Sequence, residues 1–304
     1  MHTGLPEHLY KPPVRADGDS GRMTASSNKS RLQAEATEES TLPLDDGEIH
    51  VCQDGPRDAP ALLLIHGTAA SLRSWDPMVP LLTGSHHVIR IDLLGCGQSA
   101  RPDGASYAVP DQARRTGAAL DRLGVKHAVV IGHSSGGAVA TALAEQRPGL
   151  VTALVLINTG PRMAACIANE TAIGSARLSD LTDEQLRQLM SQAFSPGYKI
   201  PQAFVDEARD MSLRVYAATS QAVRAYLEEQ ALPQRLAVRG KPLLVIFGQN
   251  DLRWRSSSAA EYLAVPGAAV EMLPGVGHSP NLEDPPRTAA LLLTFTAMHT
   301  APAD

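Results

Sequence analysis

Residues 132–136 read Gly-His-Ser-Ser-Gly, a serine with a glycine two residues away on either side. A serine hydroxyl is a poor nucleophile at neutral pH and needs a neighbouring base. Flanking glycines let the chain turn sharply enough to lift Ser134 clear of its surroundings. The pattern alone is a weak signal, so its setting decides. The apolar run Ala128 to Ile131 precedes it and a helical stretch, Gly136 to Gln146, follows. That is the strand–turn–helix context in which such a serine becomes an exposed nucleophile, at a helix start that favours developing negative charge.

Ten histidines compete to be the base. His2 and His8 lie in a polar N-terminal stretch, His50 is on an early strand and His299 is near the C-terminus. His86, His87 and His127 precede their strands and belong to the end opposite Ser134. His133 is expected to point away from its neighbour. His66 ends a strand on the correct side and stays a competitor. His278 is better placed, in the loop Leu273-Pro-Gly-Val-Gly-His-Ser-Pro280 after the last strand. A buried carboxylate should hold the imidazole's tautomer and stabilise its charged form. Asp251 follows the penultimate strand, in Phe247-Gly-Gln-Asn-Asp251, on the same rim as Ser134 and His278. Asn158 takes the other place such an acid can occupy, but it carries no charge.

The elements that must position these residues begin near Thr41. Asp46-Gly47 between two strand-like runs is a strong hairpin signal. Ala61 to Ile65 is a continuous apolar run, as in strands covered on both faces, and ends at His66-Gly67. Strands at His87–Ile91, Ala128–Ile131 and Leu150–Ile157 then alternate with helical stretches at Leu72–Leu82, Asp111–Leu123 and Gly136–Gln146. That rhythm implies a parallel sheet with crossover helices. Between about Gly160 and Gly240 it gives way to helices without a strand candidate. Thr182-Asp-Glu-Gln185 there forms a capping box, and Pro201 opens Ala203 to Met211. Strands return at Lys241–Phe247 and Ala268–Leu273, and a helix follows Pro286.

His66-Gly67, Gly132-His-Ser-Ser-Gly136, Asp251 and Gly277-His278, together with the turn Asp92-Leu-Leu-Gly-Cys-Gly-Gln-Ser99, resemble the α/β-hydrolase superfamily from about Thr41 to the C-terminus. The resemblance implies an α/β fold with a mostly parallel central sheet, an N-terminal antiparallel hairpin, helices on both faces and a helical cap after the sixth strand. The mixture of Pro, Ser, Glu, Arg and Gly before Thr41 reads as a disordered extension at 1–40, with Met23 an alternative start, and the strand rhythm divides the rest into a core at 41–160 and 241–304 and a helical cap at 161–240. The chain order Ser134, Asp251, His278 is the one expected of such a catalytic triad. By the same resemblance the backbone N–H groups of Thr68 and Ser135 form the oxyanion hole, and the Asp92 turn is structural. The implied activity is hydrolysis of a carboxylic ester or lactone of a small, largely apolar substrate through an acyl-enzyme on Ser134. A carbon–carbon bond hydrolase or acyltransferase would use the same triad, and a cyclase or small-molecule receptor the same fold. Aspartate-nucleophile relatives are disfavoured by the serine at 134. Trp75 and Trp254 fit either pocket wall or core.

No metal or organic cofactor is implied. The net charge of -5 and pI near 6.1 argue against nucleic-acid or anionic-membrane partners. No apolar run approaches the roughly 20 residues that span a bilayer. Cys52, Cys96 and Cys166, odd in number and scattered, read as reduced thiols of a cytoplasmic protein, and the expected partner is a small-molecule substrate.

Overall fold

The computed structural model describes residues 37–168 and 178–299. Eight strands form one sheet in the order β1-β2-β4-β3-β5-β6-β7-β8. β1 (Glu38–Leu42) and β2 (Ile49–Asp54) form the antiparallel hairpin that Asp46-Gly47 signals, and β2 pairs antiparallel with β4 (His87–Ile91). β3 (Ala61–Ile65), β5 (Ala128–His133), β6 (Val151–Ile157), β7 (Leu243–Gly248) and β8 (Ala269–Leu273) continue it in parallel with β4. β1 starts inside the segment expected to be a disordered extension: Glu38, Glu39 and Ser40 pair with Gln53, Cys52 and Val51. The rest of that segment lies outside the described residues.

The period of two along the strands sorts the core into two layers. Leu63, Ile65, Ile89, Val130, Leu156 and Val245 face one side, against α2 (Val109–Arg122) and α3 (Ser135–Gln146). Leu62, Leu64, Val88, Val129, Ile131 and Ile246 face the other, against Trp75, Met78 and Leu82 around the short α1 (Val79–Leu82) and against α9 (Pro285–His299). Both faces are covered, which is why these strands are unbroken apolar runs. β3 and β5 are neighbours, and the connection from β3 runs to β4 on one side while that from β5 runs to β6 on the other. The carboxyl ends of β3 and β5 are therefore the switch point where open α/β sheets leave a crevice.

The helices α4 (Asp183–Met190), α5 (Gln202–Arg209), α6 (Leu213–Glu229) and α7 (Leu232–Ala237) fall between β6 and β7. Thr182 and Gln185 form the expected capping box at α4. Leu178, Leu186 and Val205, with Leu189 and Met211 against them, make a small core of their own. Tyr226, Leu227, Leu232 and Leu236 instead belong to the main core. The physically separate part of the insertion therefore ends before the expected boundary at 240. Residues 169–177 of the expected cap lie outside the described residues. Among the described residues no helix is long and apolar enough to cross a membrane.

His87 opens β4 at the sheet end remote from Ser134 and is buried. Burial above all, with Arg57 beside it, pushes its imidazole down to about 4. An unfolded histidine titrates near ~6.5. Between those values the unfolded chain binds the extra proton, so His87's contribution is intact above about pH 6.5 and is lost as pH falls toward 4. His87→Gln should flatten the decline of unfolding free energy between pH 6 and 4 by up to about 1.4 kcal/mol per pH unit. Urea melts at pH 7, 6, 5 and 4 read this slope, and an unchanged slope would count against it.

Candidate active site

Ser134 sits where β5 ends and α3 begins, with φ 54 and ψ -123, a conformation costly for any residue with a side chain. Three contacts hold it there. Its N–H donates to Ile157 O at 2.8 Å, and its C=O accepts from Gly137 N–H at 3.0 Å and from Thr159 Oγ at 2.9 Å. The glycines of the pentapeptide are there because backbone fills the space a side chain needs. A Cβ on Gly132 would stand 2.5 Å from Gly136 O, and one on Gly136 would strike the carbonyls of Ile65 and His66.

His278, in the loop between β8 and the short α8 (Pro280–Glu283), reaches back over the sheet. Its Nε2 lies 2.9 Å from Ser134 Oγ and its Nδ1 2.9 Å from Asp251 Oδ2. A carboxylate only accepts, so Nδ1 carries the hydrogen and Nε2 presents its lone pair to the serine. Asp251, just beyond β7, is buried. Its Oδ2 also accepts from Asn158 Nδ2 at 2.7 Å, and its Oδ1 from the N–H groups of Arg253 and Trp254 at 2.7 and 3.1 Å. Burial, the largest influence, would raise its carboxyl. His278 and the donors from Asn158 and Arg253 outweigh it and hold the group below the ordinary carboxylate value.

The competing histidines have other partners. His66 donates Nδ1–H to Gly67 O at 2.8 Å and accepts Leu93 N–H at Nε2. Fully buried, it is pushed toward the neutral form, and both nitrogens brace the loop after β3. His133 donates Nε2–H to the carbonyl of His278 at 2.8 Å. Burial and the adjacent His278 drive its imidazole to about 3. It thus steadies the His278 loop as a neutral ring. His50 bridges Asp92 at 2.7 Å and Glu39 at 2.8 Å, while Asp92 also accepts Leu72 and Gln98 N–H groups, the structural part expected of that turn. Glu39, His50 and Cys52 place potential metal-ligand atoms within 4.8 Å of one another, but both ring nitrogens of His50 are already engaged by carboxylates.

Two residues have roles at the site that a reading of the sequence does not reveal. Asn158, at φ 45, clamps the rim: besides Asp251 its Nδ2 donates to Gly277 O at 3.1 Å and its Oδ1 accepts Gly248 N–H at 3.1 Å. Glu283 accepts the N–H groups of Gly277, Ser279 and Ser195, tying the His278 loop to the chain before α5. A serine–acid–histidine pattern in a sequence carries no signal for either. Thr68 and Ser135 are brought together, but Thr68 N–H points to Ser135 Oγ at 2.6 Å and is not left open for a ligand. Trp75 is fully buried core, and Trp254 packs over Gly160 within the main core.

A cavity of about 460 Å³ opens between α5, α6 and the loops after β3 and β4, lined by groups that include Ala69, Leu72, Arg73, Cys96, Glu207 and Met211. Ser134 and His278 do not line it. A recess of about 20 Å³ beside Gly67, Thr68 and Ser135 shares Cys96 and Thr219 with it.

The fold and strand order agree with what comparison finds. The Alpha/beta hydrolase family model matches residues 62–291, and the chain belongs to that family. A relative in Pseudomonas syringae pv. syringae (strain B728a), provisionally named carbamate hydrolase RutD, is 30% identical over 250 residues, covering 78% of this chain and 93% of its own. A solved bacterial membrane phospholipase A superposes with a TM-score of 0.75 at 26% identity, covering 86% of each chain. A hydrolase from Pseudomonas aeruginosa PA01 superposes with a TM-score of 0.72 at 27% identity, covering 84% of this chain and 97% of that one.

Asn158→Ala would leave Asp251, Gly277 and Gly248 each short of a buried partner. Unfolding free energy should fall by about 1–3 kcal/mol in urea melts at pH 7. An unchanged midpoint would show that the clamp contributes nothing to stability.

Proposed function

We propose that this protein is a serine hydrolase that cleaves the ester or lactone bond of a small, largely apolar substrate through an acyl-enzyme on Ser134. The observation that carries the reading is the single imidazole of His278 lying 2.9 Å from both Ser134 Oγ and Asp251 Oδ2. His278 Nε2 takes the hydroxyl proton as Ser134 Oγ bonds to the carbonyl carbon, whose π electrons move onto oxygen. On collapse the carbon–oxygen bond to the alcohol breaks, and the imidazolium returns the proton to the leaving oxygen. Water, deprotonated by the same nitrogen, attacks the acyl-enzyme, and Ser134 leaves with the proton. Asp251 keeps its charge throughout and stabilises the imidazolium. No resident metal or organic cofactor takes part in this scheme.

The relative named for carbamate hydrolysis supports extending the scissile bond to carbamates, since the carbonyl chemistry is unchanged. The cavity beside the recess is the proposed entrance for the substrate, its walls part apolar and part charged.

A fluorophosphonate probe should label wild-type protein at Ser134, with labelling abolished in Ser134→Ala and sharply reduced in His278→Ala. Short-chain p-nitrophenyl esters should be turned over by the wild type, with turnover abolished in Ser134→Ala and sharply reduced in His278→Ala. Asp251→Asn should lower kcat by about 10³–10⁴, as loss of the tautomer-fixing acid does in serine proteases. A folded wild type that neither labels nor turns over esters would end the activated-serine reading.

A further inference from the structure

The loop after β3 passes directly alongside Ser134. A Cβ on Gly67 would stand 3.1 Å from Ser134 Cβ, so the next residue, Thr68, is presented beside the nucleophile. Thr68 N–H donates to Ser135 Oγ at 2.6 Å, and the Thr68 and Ser135 hydroxyls are hydrogen-bonded to each other at 2.8 Å. Each hydroxyl carries one hydrogen and can accept two. The pair therefore holds two O–H hydrogens and shares one bond. Whichever hydroxyl donates in that bond, one O–H hydrogen is left over, and among the described residues no further acceptor takes it.

That hydrogen has few places to go. Both residues line the recess of about 20 Å³, whose other walls are mostly apolar, among them Leu93, Val109, Val139 and Val223. Tyr107, Gln112 and Thr219 also line it, but the buried Tyr107 hydroxyl has no partner, Gln112 is bonded to the Leu94 backbone and Thr219 Oγ to the carbonyls of Val215 and Tyr216, so none of them is engaged with the spare hydrogen. A donor without a protein acceptor, on the residue that directly follows the nucleophile, is suited to an oxygen that arrives with the substrate.

We propose that the Thr68–Ser135 hydroxyl pair supplies a side-chain O–H donor to the carbonyl oxygen under attack, alongside the backbone N–H of Ser135, and that Thr68 N–H acts on it through Ser135 Oγ. The proposal rests on the acyl-transfer reading and refines its oxyanion hole. Two donors directed onto Ser135 Oγ polarise its hydroxyl, and an O–H bond to a forming oxyanion is stronger than one to a neutral carbonyl. The gain thus appears mainly in the transition state, hence in kcat. On this account Ser135 is a catalytic residue and Thr68 a positioning residue.

The test compares wild type with Ser135→Ala, Ser135→Thr, Thr68→Val and the Ser135→Ala/Thr68→Val pair on a short-chain p-nitrophenyl ester. Inhibition by a trifluoromethyl ketone, whose serine adduct carries the oxyanion, is measured in parallel with inhibition by the product acid. Ser135→Ala should lower kcat by about tenfold to a hundredfold, with KM within roughly threefold. Ketone affinity should fall with it and product affinity should not. Ser135→Thr should keep most of the activity, Thr68→Val should lose less, and the double variant should be no worse than Ser135→Ala. A Ser135→Ala enzyme at or above the wild-type rate would overturn the proposal, because the hydroxyl would then merely compete for Thr68 N–H. Equal losses in Ser135→Ala and Ser135→Thr with unchanged ketone affinity would also overturn it. If Ser135→Ala does not fold, Thr68→Val decides, and an unchanged kcat there overturns the proposal. Fluorophosphonate labelling of wild-type Ser134 without any of these effects would sink this inference alone, whereas an unreactive wild type would sink the hydrolase reading as well.

Discussion

The rest of the site depends on how closely backbones meet beneath Ser134. β5 must stop and α3 must start within one residue, while the ends of β3 and β6 press against that junction. With no Cβ at Gly132 or Gly136, the carbonyls of Ile65, His66 and Gly136 occupy the space. Ser134 absorbs the turn with a positive φ, a strain of about 1–3 kcal/mol that the surrounding sheet must hold in place. The bonds from Ser134 N–H to Ile157 and from Thr159 to Ser134 C=O are how β6 holds it. In return the hydroxyl stands at the carboxyl edge of the sheet, where the loops after β3, β6, β7 and β8 can reach it.

From that point the electrostatics follow as a chain. Asp251 is buried yet ionised because four donors converge on it, from His278, Asn158, Arg253 and Trp254. Its charge sets the His278 tautomer, and the tautomer points a lone pair at Ser134. The loop carrying His278 is itself held from three directions. His133 donates to its carbonyl from the elbow, Asn158 donates to Gly277 from the end of β6, and Glu283 gathers the N–H groups on either side of His278. Glu283 also accepts from Ser195, and Ser279 Oγ donates to Ala193 O. The inserted helical segment is thereby hydrogen-bonded to the loop that carries the proposed base.

The legible and illegible parts of this arrangement differ in range. Gly132 and Gly136 are readable because their need is local: a turn too tight for side chains. Asp251 and His278 are readable because strand order alone puts the residues after β7 and β8 on one rim. The same logic fails for Asn158, which looks like a carboxylate site that has lost its charge, and whose partners, Gly248, Asp251 and Gly277, are 90 or more residues away. His66 stays an open competitor in the sequence because its placement is right; only its two backbone bonds remove it. β1 is hidden in a polar stretch, since an edge strand needs few apolar residues. Nothing in the sequence of α7 tells that Leu232 and Leu236 pack with the main core. The Thr68–Ser135 contact is equally invisible, because it depends on the loop after β3 meeting the first residue of α3, 67 residues away.

The central claim is that Ser134 carries the acyl group between the two halves of the reaction. Rapid acid quenching of the enzyme with a p-nitrophenyl ester, followed by intact-mass and peptide-mass measurement, tests this most directly. The account predicts a transient acyl adduct confined to the peptide containing Ser134, forming as p-nitrophenolate is released and decaying at the steady-state rate. Turnover with an adduct on another residue, or in an enzyme whose Ser134 has been replaced by alanine, would contradict it.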